Sequence, residues 1–209
     1  METKERIITE ATHLFLRLGI RSVSMDEIAT QLGISKKTVY QHFEDKDQLV
    51  DRVLEEQIKL MQAEALHTVE SSSNAIEEIF NTMDMMVKHS RNMNPMVLFD
   101  LQKYHFGSFQ KFAAHKNDFL FNIILNNLKK GVEERLYRSD INIEILAKFR
   151  LETLMIGFNM DAFPTDKFNV TEVSLVIIEN FLYGLATEKG FNMIESYKLK
   201  RKEHNKLNQ

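Results

Sequence analysis

Apolar residues recur at three- and four-residue spacing along almost the whole chain, and no stretch alternates with the period of two that a half-buried strand requires. Over residues 4–18, Ile7, Ile8, Ala11, Leu14, Phe15 and Leu18 share one helical face, and Gly19 follows as a left-handed stop. The next segment, VSMDEIATQLG, sets Ser24 and Glu27 three apart as a capping box, with Val23 and Ile28 in the staple positions. A second helix therefore starts after Ser24, turns Met25, Ile28, Ala29 and Leu32 inward, and ends at Gly33. Ile34, Ser35 and Val39 repeat the device at once. Two short helices joined by Gly-Ile-Ser predict a helix-turn-helix. On the third helix Val39 and Phe43 face inward, which leaves Lys36, Lys37, Thr38, Tyr40, Gln41 and His42 outward on a surface without an acid. Asp45, with Gln48 three residues on, opens a fourth helix that carries Lys46 in its first turn and runs as a rigid link to about Thr68.

Beyond it, ESSSN marks a break and Asn74 caps a helix over residues 75–89. Asn94 followed by Pro95 opens another, with Pro in the first helical position. A long helix is predicted over 107–130, a turn region over 131–142, and two large helices over 143–159 and 170–187 with Pro164 between them. The basic ending SYKLKRKEHNKLNQ reads as a solvated or frayed helix. The fold class is all-α.

Composition agrees, with 7 Gly and 2 Pro in 209 residues. There is no Cys, which removes disulfides and thiolate metal sites. The start METKERIITEA is charged from the second residue and no apolar run reaches the ~18 residues of a membrane span, so a cytoplasmic protein without membrane contact is expected. The seven His lack HExxH spacing and no Gly-rich phosphate loop occurs, so neither an enzyme nor a cofactor or metal is expected. A formal charge of −3 confines any DNA contact to a local patch. Residues 1–52 hold eight basic side chains (Lys4, Arg6, Arg17, Arg21, Lys36, Lys37, Lys46, Arg52) against nine acidic ones, so only a polarised layout can bind a polyanion. Lysines at helix starts work against the helix dipole by ~0.3–1 kcal/mol each, which makes sense where an anion docks on the same N–H groups.

The stretch SMDEIATQLGISKKTVYQHFEDKDQLV resembles the DNA-binding segment of the TetR family of transcriptional regulators, matching its Ile-Ala, Gly-Ile/Val-Ser, Thr-x-Tyr-x-x-Phe and Lys-x-x-Leu landmarks in order and spacing. The resemblance spans residues 4–54. It implies a helix-turn-helix domain over 1–47 whose third helix enters the major groove, and a helical effector and dimerisation domain over 48–205. By position, Thr38, Tyr40 and His42 are expected to touch phosphates and bases, Lys46 to bind a phosphate, and Ser24 to join the set from the second helix. Lys36, Lys37 and Gln41 are the candidates for base reading, since Lys suits guanine and Gln adenine edges.

An effector pocket is implied among helices rich in Met and aromatic residues, with Met86, Phe99, Tyr104, Phe121, Met155 and Asn159 as candidate ligand contacts and His89 and His105 as further polar groups. The 170–187 helix carries two apolar stripes, one of Val173, Ile177, Phe181 and Gly184, the other of Leu175, Ile178, Leu182 and Leu185. The 143–159 helix has a similar excess that includes Phe149 and Ile156. The surplus predicts a homodimer through Phe149, Ile156, Val173, Ile177, Phe181 and Gly184, with close helix approach allowed at Gly157 and Gly184. The expected function is a repressor that binds an inverted-repeat, double-stranded DNA operator and is released by a small hydrophobic or aromatic effector. Two alternatives stay open: a helical dimerisation or adaptor module that has lost DNA binding, and a small-molecule carrier or enzyme.

Overall fold

The computed structural model describes residues 2–90 and 93–207, with side chains up to residue 202. Its elements are helical: α1 (Thr3–Leu18), α2 (Met25–Leu32), α3 (Lys36–His42), α4 (Lys46–Ser71), α5 (Ala75–Ser90), α6 (Met96–Tyr104), α7 (Phe106–His115), α8 (Phe121–Glu133), α9 (Ile143–Thr153), α10 (Val170–Leu185) and α11 (Glu188–Leu207). Among the described residues the one extended pairing is an isolated bridge between Tyr137 and Ala186. The chain forms two compact units, residues 1–63 with 89–115, and residues 64–88 with 116–209.

In the first unit Ile7, Ala11, Leu14 and Phe15 of α1, Met25, Ile28 and Ala29 of α2, Val39 and Phe43 at α3, and Leu49, Val50 and Val53 of α4 make one core that Leu101 of α6 completes. The α1–α2 connection is gripped by α6. Asp100, buried, accepts the Arg21 backbone N–H at 2.9 Å, and Asn94 donates its N–H to the Leu16 carbonyl at 2.6 Å. Gly19 sits at φ 88°, ψ 150°. This is not the left-handed cap the sequence suggests but the mirror-extended region that glycine alone adopts readily, and a Cβ there would stand 3.2 Å from an Asp100 carboxylate oxygen.

The second unit is built on Ile76, Phe80 and Met83 of α5, Leu128 of α8, Ala147 of α9, Ile178, Leu182 and Leu185 of α10 and Ile194 of α11. Tyr137 is buried among them and donates its hydroxyl proton to the Ala75 carbonyl at 3.3 Å. Its ring lies so close to Gly131 that a Cβ there would come within 2.0 Å of it.

Three expectations need correcting. The 107–130 helix is interrupted by a wide π-helical turn, Lys116–Leu120, between α7 and α8. The 143–159 helix ends at Thr153, and only a 3₁₀ turn, Ile156–Phe158, follows. Gly157 packs against α10 there, its missing Cβ leaving 3.1 Å to the Val170 carbonyl, while the Asn159 amide oxygen accepts the N–H groups of Asp161 and Ala162 and holds the chain in a turn. The basic ending is a docked helix, since Tyr197 stacks on Phe80 at 5.4 Å and Arg201 pairs with Asp84.

Candidate nucleic-acid interface

Caps decide where α2 and α3 begin. The Ser24 hydroxyl accepts the Glu27 N–H at 3.1 Å while the Glu27 carboxylate accepts the Ser24 N–H at 3.2 Å. Gly33 takes the left-handed conformation, φ 65°, ψ 30°, and turns the chain. Ser35 then accepts the Thr38 N–H at 3.1 Å, and the two hydroxyls lie 2.8 Å apart. With Val39 and Phe43 buried, Lys36, Lys37, Tyr40 and Gln41 are exposed, and Thr38 and His42 are half-buried. The two lysines differ in their surroundings. Lys36 pairs with Asp26 of α2 at 2.7 Å and lies 5.7 Å from the centre of the Tyr40 ring, and the Asp26 hydrogen bond holds its ammonium above the usual lysine range. Lys37 forms no ion pair among the described residues and stands in water.

Lys46 is placed differently from the expectation of a free phosphate ligand. Its ammonium donates to the Ile20 carbonyl at 2.6 Å and lies 5.9 Å from the Phe15 ring. Burial pushes its pKa down against the pull of Asp100 and Asp47. An ammonium has three protons, so at least one remains for another acceptor.

The near-neutral charge of the first fifty residues resolves into a layout. Asp47 bonds to His105 at 2.5 Å, Asp51 accepts from Ser108 at 3.1 Å and pairs with Lys111 at 2.7 Å, and Glu55 pairs with the same Lys111 and with Arg52. The carboxylates of α4 are thus turned to the start and face of α7, and the Lys111 and Arg52 hydrogen bonds hold the Glu55 carboxyl below the usual range. Asp26 is neutralised by Lys36, and Glu27 and Asp45 cap helices. His105, Ser108, Lys111 and Asp100 were not singled out from sequence for this work, because only the fold brings α6 and α7 to the N-terminal core.

Residues 7–53 match the family model described as bacterial regulatory proteins, tetR family. That segment, the helix-turn-helix and its flanking helices, is of the TetR type. Along most of its length it is similar to YvaF, an uncharacterized HTH-type transcriptional regulator of Bacillus subtilis (strain 168), at 24% identity over 186 residues covering 88% of this chain and 96% of that one. It is similar to the HTH-type transcriptional repressor KstR2 of Mycobacterium tuberculosis at 22% identity over 152 residues, 70% of this chain and 75% of the relative. A transcriptional regulator of Saccharomonospora viridis, solved in complex with choline, shares the fold with a TM-score of 0.73 at 16% identity, covering 88% of this chain and 98% of that one. These relatives are named as HTH-type transcriptional regulators or repressors, and the solved structure shares the all-helical fold. Among its described residues no helix is long and apolar enough to cross a membrane.

The candidate ligand contacts fall in different units. Phe99 and Tyr104 belong to the first, where the Tyr104 hydroxyl accepts from Arg21 at 3.0 Å and Lys103 lies over the Phe99 ring. Met86, Phe121 and Met155, all half-buried, and the exposed Asn159 belong to the second. His105 is committed to Asp47. Of the candidate dimer residues, Val173 is buried, Ile156, Ile177 and Phe181 are half-buried, and Gly184 is exposed with open space where a Cβ would stand. Phe149, 52% exposed, stacks on Phe181 with ring centres 6.0 Å apart, which joins the outer faces of α9 and α10. Ile145 and Val176 extend that apolar surface at 64% and 54% exposure.

Proposed function

We propose that this regulator is a homodimeric repressor of the cytoplasm that binds an inverted-repeat operator and leaves it when a small, largely apolar molecule occupies the helical domain. On this reading residues 1–47 bind DNA and residues 48–205 bind the effector and dimerise. The observation that carries the DNA half is the acid-free face of α3. Lys37, Tyr40 and Gln41 are exposed together there, while Asp47 is engaged by His105 and Asp51 and Glu55 by Lys111 of α7. This arrangement favours DNA binding over the adaptor alternative, which rested on the neutral charge of the segment. Lys37 and Gln41 would read base edges, and Ser24, Thr38, Tyr40, His42 and Lys46 would position the backbone, since hydroxyls that accept a capping N–H still have a proton to donate.

The TetR relatives supply the direction of regulation, KstR2 being named a repressor, and the choline complex of the Saccharomonospora regulator is an instance of a small organic molecule in this fold. An effector acts only through the difference in its affinity for the DNA-competent and DNA-incompetent states. Selection of bound duplexes from a randomised pool, followed by anisotropy titration at several salt concentrations, tests the proposal. An inverted repeat with a log-affinity slope against log-salt of several charges is expected. Recovery of a single asymmetric half-site, or of no preferred sequence, would overturn it.

A further inference from the structure

Arg150 lies on the buried side of α9, between Ala147 and Leu151, with 4% of its surface exposed. Among the described residues its guanidinium has no acidic partner and makes no hydrogen bond. The acids of the second unit are engaged elsewhere or exposed. Glu152, two residues on, is taken by Lys116 and Lys148, Glu134 by the Ala75 N–H, Glu78 by Lys130, Glu179 by Lys198, Asp84 by Arg201 and Glu195 by Tyr183. Asp118, Glu144, Asp161, Asp166 and Glu172 are exposed.

A guanidinium withdrawn from water without a counter-ion costs several kcal/mol, and natural cores seldom keep one without a use. Burial pushes its pKa down to about 10, so it is still charged at neutral pH. No fully enclosed side-chain nitrogen or oxygen lacks a partner in the described residues, so the unbonded guanidinium nitrogens of Arg150 are not completely enclosed.

We propose that Arg150 is the anion hook of the effector site, and that the effector is a small organic carboxylate whose apolar body is held by the surrounding helices. This rests on the effector reading above and adds the charge of the ligand to it. A single planar guanidinium, on the same buried helix face as Ala147 and Leu151, matches one carboxylate through two parallel N–H···O bonds. A dianionic phosphate would call for a second cation, and the lysine nearest in sequence, Lys148, is exposed and paired with Glu152.

Decanoate and 4-phenylbutyrate, against 1-decanol and 4-phenylbutan-1-ol, separate charge from apolar body. The full-length wild type should be stabilised by at least one acid, with the unfolding midpoint rising by about 3 °C or more at saturation, and should bind its alcohol at least tenfold more weakly by calorimetry. Arg150→Met should remove the preference for the acid and leave alcohol binding unchanged. Ligand-free Arg150→Met should unfold at the wild-type temperature or above, because an uncompensated charge has been replaced by an apolar chain. Equal binding of an acid to wild type and Arg150→Met would overturn the proposal. So would alcohols that bind as tightly as their acids, an outcome that leaves the effector reading standing. No stabilisation by either class would sink both. A ligand-free Arg150→Met that unfolds several degrees lower would show a structural partner for Arg150 instead.

Discussion

Lys36 and Lys37 are neighbours in the first turn of α3, both exposed to solvent, yet only Lys37 is without an acidic partner among the described residues. Lys36 is held by Asp26 and covers the Tyr40 ring, so its removal mainly releases an acid next to the surface proposed to face DNA. Lys37→Ala should relax base preference at one position of each half-site, costing ~1–3 kcal/mol there by competition binding with single-base variants. Lys36→Ala should weaken all duplexes alike. The reverse pattern would reassign the two side chains. Lys46 joins folding to binding. Lys46→Met removes the bond to the Ile20 carbonyl and should cost about 1 kcal/mol of stability by urea unfolding, while the log-affinity slope against log-salt falls by about one charge per half-site. An unchanged slope would leave Lys46 with its structural role only. In the second unit, burial pushes the Glu78 carboxyl up, and the Asn127 and Lys130 hydrogen bonds only partly offset it. A carboxyl whose folded pKa exceeds its unfolded one favours folding below the unfolded value and loses that contribution as pH rises through the folded one. Glu78→Gln should therefore be more stable than wild type at about pH 8 and lose the advantage near about pH 4, read from urea midpoints at both.

At the scale of elements, local chemistry was legible and long-range chemistry was not. Ser24, Glu27, Ser35, Asp45 and Asn74 act within three residues of themselves, and the helix starts they mark agree with α2, α3, α4 and α5. Even there a detail shifts: the Gln48 side chain reaches the Glu44 N–H, one residue before the cap. Past the end of α9 at Thr153, Gly157 lies close to a carbonyl of α10, thirteen residues away, and nothing in LETLMIGFNM announces that approach. The docking of α11 was hidden because its inward side is carried by few residues, chiefly Ile194 and Tyr197, among many charges. The acids of α4 and the guanidinium of Arg150 were visible as residues but not in their relations. Whether a charge is matched depends on which helix folds against it. The cap at Ser35 is the sharpest element-scale test, since α3 has seven residues and cannot persist alone. Ser35→Ala should cost ~0.5–2 kcal/mol of stability and lower DNA affinity, with Ser35→Asp restoring the stability. If Ser35→Ala unfolds at the wild-type urea midpoint, the core contacts of Val39 and Phe43 hold α3 without the cap.

For the whole molecule the open question is what covers the outer faces of α9 and α10. The stripe of Ile178, Leu182 and Leu185 is buried in the subunit's own core; of the other stripe Val173 is buried and Ile177 and Phe181 are half-buried, while Phe149, Ile145 and Val176 beside it are exposed. Contiguous apolar surface of that kind is seldom left exposed by monomers. Gly184, open where a side chain would project, allows a neighbouring helix to approach. Two α9–α10 pairs related by a twofold axis would close a four-helix bundle, and a stable interface of this type buries roughly 1,200–2,000 Å² in total. The axis has a consequence for DNA, because two copies of α3 then address half-sites about one helical turn or a multiple apart. Phe149 separates assembly from folding better than Phe181 does. Phe181 packs against the core of its own subunit, whereas Phe149 is 52% exposed. Phe149→Glu should therefore leave the helical circular dichroism intact while a negative charge enters each copy of the interface. Light scattering at micromolar concentration should give a dimer for wild type and a monomer for Phe149→Glu. Affinity for an inverted repeat should fall by the loss of the second half-site, although residues 1–47 are unchanged. A wild type that scatters as a monodisperse monomer, or a Phe149→Glu protein that remains dimeric at full operator affinity, would place the interface elsewhere.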